Sequence, residues 1–295
     1  MMKSDSDNPK PNFIGIGAQK CATTWLSECL RHHPEVFMSQ PKEIHFFETE
    51  ANWNNGVDWY LEHFRSSGGF KARGEYSPSY LSHPVSAQRI KDVLGPVKIL
   101  VSLRNPVSRF ISHYKHLIRQ GKLLKEEYSV LNAANFERAT KLYPQLINNG
   151  SYYSDLNVFI DIFGRENLWI MIKEDIDANP QAELRKTYEF LEVDADFVPS
   201  ILTKKVSPGI VPKFSALEDM RLRLFRTFNR RAPWVIGHVR KLRLAELYRK
   251  LNTAKQQDSL KTEDAAMAAI RSTYQEEIQN TERLLNRQLT AWKPK

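Results

Sequence analysis

Apolar residues gather in three short runs, each bounded by polar or turn-forming residues and each followed by a stretch with helical spacing. Asn12-Phe-Ile-Gly-Ile-Gly17 reads as a short buried strand. From about Thr23 to His33, Trp25, Leu26, Cys29 and Leu30 fall on one side of a helix. His33-Pro34 ends it, because a residue before proline avoids the helical region. Val97-Lys-Ile-Leu-Val-Ser-Leu103 is a second strand, continuous enough to be central in a parallel sheet. Asn105-Pro106 opens the next helix with proline at its first position. Leu168-Trp-Ile-Met-Ile-Lys173 is a third strand, and a helix follows through about 179–191. Strands alternating with helices predict a parallel α/β sheet covered on both faces.

The remaining segments are more polar. Residues 121–149 read as helical or irregular, a composition that suits a lid. Thr203 to Lys213 carries two prolines and a glycine and reads as a loop. A basic helical part at about 215–255 and an amphipathic helix near 262–290 complete the chain. Residues 1–11 are polar and proline-bearing, which predicts a disordered leader ahead of a single domain over 12–295.

Composition narrows the class. A chain of 295 residues that is 41% hydrophobic can bury a substantial core. No apolar run approaches the roughly 18 residues of a membrane span. The start lacks the apolar stretch of a signal peptide, so a cytoplasmic protein is expected. Of two cysteines, Cys21 and Cys29, neither reaches the other if both lie on one helix, since eight residues rise roughly 12 Å. The net charge of +9 is concentrated: residues 221–250 hold ten Lys/Arg against Glu246 alone, 10 − 1 = +9. An anionic surface or acceptor, if one is bound, is expected there.

Two strand–helix junctions carry candidate chemistry. The first strand runs into Gly17-Ala-Gln-Lys20-Cys21-Ala22-Thr23-Thr24-Trp25. Free backbone N–H groups and the positive end of the helix dipole make such a turn an anion site. Lys20 adds a charge, and Thr23 and Thr24 add donors. The same residues would also serve a tight turn with N-capping threonines. A Mg²⁺-binding nucleotide loop needs Gly-Lys followed directly by Ser/Thr, and here Cys21 and Ala22 intervene. The second strand ends in Arg104 rather than in a metal-binding acid. Arg109 lies three residues before Ser112, so the two share a helix face, and Arg104 and Ser112 can converge on one phosphate. The alternative is that Arg109 and Ser112 merely face solvent.

At these junctions the chain resembles a sulfotransferase that uses 3′-phosphoadenosine 5′-phosphosulfate (PAPS). Lys20 to Trp25 resembles the loop that grips the 5′-phosphosulfate, and Arg104 to Ser112 the motif that grips the 3′-phosphate. Pro41-Lys-Glu43-Ile-His45-Phe-Phe47 resembles the catalytic segment of the heparan sulfate branch, and Gly74-Glu-Tyr-Ser-Pro78-Ser-Tyr80 its substrate-side turn. Gly150-Ser-Tyr152, Phe163-Gly164, Glu174-Asp175, Phe190-Leu191 and Leu284…Leu289…Trp292 follow in family order. The likeness covers about 12–213 and 262–292.

The fold so implied is an α/β three-layer sandwich with a central parallel sheet, P-loop NTPase-like, plus C-terminal helices. The resemblance implies that Lys20 neutralises charge on the bridging oxygen as the product PAP leaves. It implies that Cys21, Ala22, Thr23 and Thr24 wrap the 5′-phosphate, with Trp25 beside the adenine. Arg104 and Ser112 would bind the 3′-phosphate, and Lys213 is the expected donor from the late loop. No metal is implied. The heparan-type enzymes often carry a lysine where Tyr76 stands, which weighs against a polyanionic acceptor.

Glu43 aligns with the family's general base, and His45 is its rival. If 43–47 is extended, the two point to one face. A solvated Glu, with a pKa of roughly 4.3, is a poor base. Ile44, Phe46 and Phe47 flank Glu43 and are expected to raise that value by desolvation. A surface ion pair with Lys42 is the plain alternative. His113 and His116 read as packing or solvated residues. The acceptor would be a hydroxyl or an amine, on a saccharide, a lipid, a polyketide or a phenol. Two other classes stay open: a P-loop kinase or NTPase, and a membrane- or nucleic-acid-binding module built on 221–250. The enzyme reading expects no nucleic-acid partner.

Overall fold

The structure, a computed structural model, describes residues 9–202 and 260–293. The first half runs β1 (Phe13–Gly17), α1 (Thr23–Arg31), β2 (Val36–Met38), α2 (Glu50–Trp53), α3 (Gly56–Glu62), β3 (Ala72–Tyr76), α4 (Ser86–Leu94) and β4 (Lys98–Leu103). Then come α5 (Pro106–Arg119), α6 (Lys125–Tyr128), β5 (Val130–Leu131), α7 (Ala133–Leu142), α8 (Gln145–Asn148) and α9 (Tyr152–Phe163). β6 (Leu168–Ile172), α10 (Lys173–Ala178), α11 (Pro180–Leu191), β7 (Lys261–Thr262) and α12 (Asp264–Leu284) follow, with short 3-10 turns at Arg165–Asn167 and Thr290–Trp292. The expected loop 204–213, with Lys213, and the basic helical segment at 215–255 lie outside the described residues.

Five strands form a parallel sheet in the order β2-β3-β1-β4-β6. Every residue of β1 is buried, as expected of a strand with helices on both faces. Side chains alternate between two cores. Ile14, Ile16, Ile99 and Val101 pack on one face with Phe46, Phe47, Tyr60 and Phe159. Phe13 and Leu100 pack on the other with Leu26, Leu30, Tyr76, Met171 and Tyr188. This is the α/β three-layer sandwich that the alternation of elements predicts.

Three of the five strands follow from apolar runs; β2 and β3 do not. β2 has only three residues. β3 reads Ala-Arg-Gly-Glu-Tyr, carries two charges and contains no β-branched residue. It forms a strand because glycines let β1 and β3 come close. A Cβ on Gly15 would stand 2.2 Å from the Tyr76 ring, and one on Gly74 would stand 2.4 Å from the Phe13 carbonyl.

By internal contacts the chain divides into two compact units. The first comprises 1–116, 130–206 and 262–295, and holds the sheet. The second comprises Leu117–Ser129 and Ser207–Lys261. In its described part the amides of Lys122 and Leu123 turn back to the Leu117 carbonyl, and α6 follows. No helix among the described residues is long and apolar enough to cross a membrane.

Within the first unit the C-terminal residues brace the β4–α5 junction. Asn105 donates from Nδ2 to the Trp292 carbonyl at 3.0 Å, and its backbone N–H donates to Glu174 at 3.1 Å. The Trp292 indole donates to the other Glu174 oxygen at 3.0 Å. Arg287 grips Asp175 with two hydrogen bonds of 2.5 and 2.8 Å. The Glu174-Asp175 pair of the sequence is therefore a clamp on the chain's end.

Candidate active site

In an open parallel sheet, ligands bind beyond the carboxyl ends of the strands, where the strand order reverses. Here the turn after β1 leads into α1. Lys20 and Ala22 both adopt positive φ, 72° and 67°, which turns successive backbone N–H groups toward one side. Ala22 is the N-cap of α1 and supplies no side-chain cap, so the first-turn N–H groups stay available to an anion. Thr23 is buried, Thr24 is exposed and Trp25 is half-buried against the core. The turn, which carries Lys20, is not side-chain-capped, and its geometry suits an anion.

This turn is tied to β4. The Ala18 amide donates to the Ser102 carbonyl at 2.8 Å, and the Ser102 hydroxyl donates to the Cys21 carbonyl at 2.5 Å. Arg104, at the end of β4, donates to the Lys20 carbonyl at 3.4 Å. Tyr152, at the start of α9, donates to the Arg104 carbonyl at 2.9 Å, and its hydroxyl lies 3.8 Å from the Cys21 sulfur. The structure thus brings Lys20, Cys21, Ala22 and Arg104 together. A phosphosulfate and a second phosphate fit two cations and a set of uncapped helix N–H groups on one edge.

Arg109 and Ser112 part company. Pro106, Arg109, Phe110, His113, Tyr114 and Leu117 form the buried stripe of α5, while Ser112 is half-exposed. Arg109 is fully buried and donates to the Leu146 carbonyl, and to Tyr274 Oη at 3.3 Å. It packs the helix and does not face solvent with Ser112, as one alternative held.

The Pro41–Phe47 segment starts beyond the end of β2. It is not uniformly extended, because His45 takes a positive φ of 55°. Glu43 and His45 nevertheless meet: His45 Nε2 lies 3.3 Å from one Glu43 oxygen, and Lys42 Nζ lies 3.1 Å from the other. The other His45 nitrogen contacts Glu48, which also accepts from the Ser79 hydroxyl at 2.6 Å. Hydrogen bonds from its ring to Glu43 and Glu48 raise the His45 pKa to about 10, so the ring is cationic at neutral pH.

The expected desolvation of Glu43 is overturned in its net effect. Burial does raise its pKa, but the His45 hydrogen bond and the Lys42 charge outweigh it and leave it below the ordinary value. The apolar neighbours Ile44, Phe46 and Phe47 point into the core instead of covering the carboxylate. The carboxyl raised beside this segment is Glu75, one residue before the end of β3, pushed up to about 7 by burial against hydrogen bonds from Ser77, Tyr80 and Ile44. Neither Glu48 nor Glu75 was singled out from the sequence. Glu48 sits five residues after Glu43 and gives a spacing signal only once the left-handed turn at His45 is known.

A parallel sheet whose first strand feeds a lysine-bearing turn and an uncapped helix start, together with a carboxylate–imidazolium pair, suits a transferase of anionic groups. The chain belongs to the sulfotransferase family, whose domain matches residues 10–218. It is similar to the membrane-associated sulfotransferase kil1 of Dictyostelium discoideum, 38% identical over 125 residues, 40% of this chain and 26% of that protein. Human heparan sulfate glucosamine 3-O-sulfotransferase 5 is 28% identical over 189 residues, 62% of this chain and 54% of that protein. A sulfotransferase from Alicyclobacillus acidocaldarius has the same fold, with a TM-score of 0.65 and 26% identity over 96% of this chain and 99% of that one. The chain spans about a quarter to a half of the length of these two curated relatives.

Proposed function

We propose that this sulfotransferase takes its sulfuryl group from PAPS and passes it to a hydroxyl or amine of a saccharide or small metabolite, releasing PAP. The observation that carries this reading is the joint placement of the uncapped α1 cradle, Lys20 and Arg104 at the ends of β1 and β4. When bound, PAPS supplies an activated sulfuryl group on a good leaving group. Lys20, Thr23, Thr24 and the first-turn N–H groups would hold the 5′-phosphosulfate, and Arg104 with Ser112 the 3′-phosphate. Lys20 offsets the negative charge that develops on the departing oxygen. Glu43 takes the proton that the attacking acceptor loses, and the cationic His45 orients Glu43.

A saccharide is the favoured acceptor because the similar human protein is named for heparan sulfate glucosamine. Tyr76 is wholly buried, so the position where heparan-type enzymes often carry a lysine offers no cation here, and the weight against a polyanionic saccharide stands. Incubation with ³⁵S-labelled PAPS and a panel of glycans, phenols and lipids tests the reading. Label on a glycan is the expected result, and failure of the protein to bind PAP would overturn the donor.

A further inference from the structure

Four consecutive backbone N–H groups in the Glu43–Glu48 segment end, directly or through one hydroxyl, on the carboxylate of Glu75. Ile44 donates its amide to Glu75 Oε2 at 3.3 Å. His45 donates its amide to the Ser77 hydroxyl at 3.2 Å, and that hydroxyl donates to the same Oε2 at 2.6 Å. Phe46 and Phe47 donate to the Tyr80 hydroxyl at 2.9 and 3.5 Å, and Tyr80 donates to Oε1 at 2.7 Å. Glu75 is fully buried in β3, where it pairs in register with Ile14 of the central strand. The anchor is therefore part of the sheet and not of the loop it holds.

Such an anchor is needed locally. A non-glycine residue rests in the left-handed region only where its surroundings fix it there. His45 does so at φ 55°, and that turn aims its two ring nitrogens at Glu43 and Glu48. The amides on either side of the turn are the ones that Glu75 collects.

We propose that Glu75 is a positioning residue for sulfuryl transfer, fixing the left-handed turn at His45 and hence the Glu43–His45 pair through a buried carboxylate–hydroxyl–amide network. This rests on the assignment of Glu43 as base under the proposed function. An ionised carboxylate can accept all three of its donors at once, whereas a protonated one must turn one oxygen into a donor. The network is therefore complete only when Glu75 is ionised. Burial places that ionisation at about pH 7, against the hydrogen bonds that favour it. The titratable groups that face it are Tyr80, Tyr60 and His45. His45 favours the ionised form, and the two tyrosines stay neutral because burial raises them further.

The test uses the full chain and three readouts: hydrogen exchange of the 43–49 peptide, the thermal shift given by PAP, and sulfate release from ³⁵S-labelled PAPS with water as acceptor. Glu75→Gln should speed exchange in 43–49 by at least about tenfold while the PAP shift and exchange elsewhere hold. Sulfate release should fall by about tenfold or more. Release by the wild type should decline as pH falls through about 7, the value set by Glu75, and release by Glu75→Gln should stay level across that range. Unchanged exchange in 43–49, loosening throughout the chain, or an identical pH limb in both proteins would overturn the proposal. If Glu75→Gln does not fold, Ser77→Ala and the wild type compared at pH 6 and pH 8 decide on the same exchange criterion. Wild type that fails to bind PAP or release sulfate would sink the sulfotransfer reading while leaving the exchange result to judge the positioning network.

Discussion

The Tyr76 hydroxyl donates a 2.8 Å hydrogen bond to the Gly17 carbonyl, where the Lys20-bearing turn begins. The backbone N–H of the same residue donates to the Lys42 carbonyl at 3.2 Å, next to Glu43. One buried residue thus spaces the two halves of the site. Tyr76→Phe keeps the ring that packs on Gly15 and leaves the Gly17 carbonyl without this donor. The expected cost is about 1–3 kcal/mol, or roughly 2–4 °C of Tm for each kcal/mol. PAP should stabilise the variant less than the wild type. Calorimetry with and without PAP checks both; an unchanged PAP shift would mean that the cradle holds its shape without Tyr76.

Arg104 should report on the 3′-phosphate alone. PAP should raise the Tm by binding the native state, and Mg²⁺-ATP should do so far less. Arg104→Ala should weaken PAP strongly but weaken adenosine 5′-phosphosulfate, which lacks the 3′-phosphate, much less. A lost charged hydrogen bond is worth about 1.5–3 kcal/mol, or roughly 10- to 150-fold in affinity. Equal losses for the two nucleotides would show that the hydrogen bond from Arg104 to the Lys20 carbonyl is its whole role.

Arg109 should behave oppositely. Its guanidinium is buried on the Leu146 carbonyl and on Tyr274 of α12. Arg109→Ala should cost on the order of 3 kcal/mol, since it leaves a cavity and buried acceptors unmatched. The two nucleotides should lose affinity in equal proportion. Urea unfolding gives the first quantity and calorimetry the second.

The parts of the site that could be read from the sequence lie where chemistry and chain order coincide. Lys20, Thr23 and Thr24 sit on one turn, and Arg104 ends a strand that its apolar run makes plain. Glu43 and His45 lie two residues apart, and the structure joins them, though through a left-handed turn and not an extended segment. The face shared by Arg109 and Ser112 was misjudged because helical spacing does not say which side of a helix is buried. β3 was hidden because burial between β2 and β1 overrides the poor strand propensity of Arg73, Gly74 and Glu75. Glu75 was hidden with it: a carboxylate in a strand looks solvent-facing until Ser77, Tyr80 and the Ile44 amide are seen to converge on it.

Both cysteines should be inert in the folded protein. Cys21 is fully buried and its thiol is pushed up to about 11 by burial, with Arg109, Tyr152 and Arg104 pulling the other way. Burial pushes Cys29 up to about 12. The thiolate is the reactive form, so almost none is present at pH 8. Iodoacetamide should label neither residue in the native state and both in urea, as read by mass spectrometry. Native labelling of Cys21 that PAP prevents would show that the cradle opens to solvent between turnovers.

The last prediction separates Glu43 from His45. At neutral pH Glu43 is ionised, because His45 and Lys42 hold it below the usual carboxylate range despite burial. His45 is protonated, because Glu43 and Glu48 raise it to about 10. A cationic ring has no lone pair for the acceptor's proton, which favours Glu43 over His45 as the proposed base. Glu43→Gln should cut kcat and kcat/KM alike by about 10²–10⁴-fold, with PAP affinity nearly unchanged. His45→Asn should cost less, and it removes the largest influence lowering Glu43. The acid limb that belongs to Glu43, which lies below the limb near pH 7 assigned to Glu75, should then move to higher pH. Stability follows the same charges. A histidine raised in the folded state contributes stability that is complete below about 6.5 and is lost as pH rises through about 10. The wild-type Tm should therefore fall between pH 7 and pH 11 by more than that of His45→Asn. The lowered Glu43 contributes stability above the ordinary carboxylate pKa that is lost as pH falls through its folded value. Turnover of both variants with one acceptor across the pH range, beside their melting curves, decides the matter. If Glu43→Gln turns over at nearly the wild-type rate while His45→Asn is dead, the imidazole is the base, and the ring must lose its proton to the Glu48 side before each transfer.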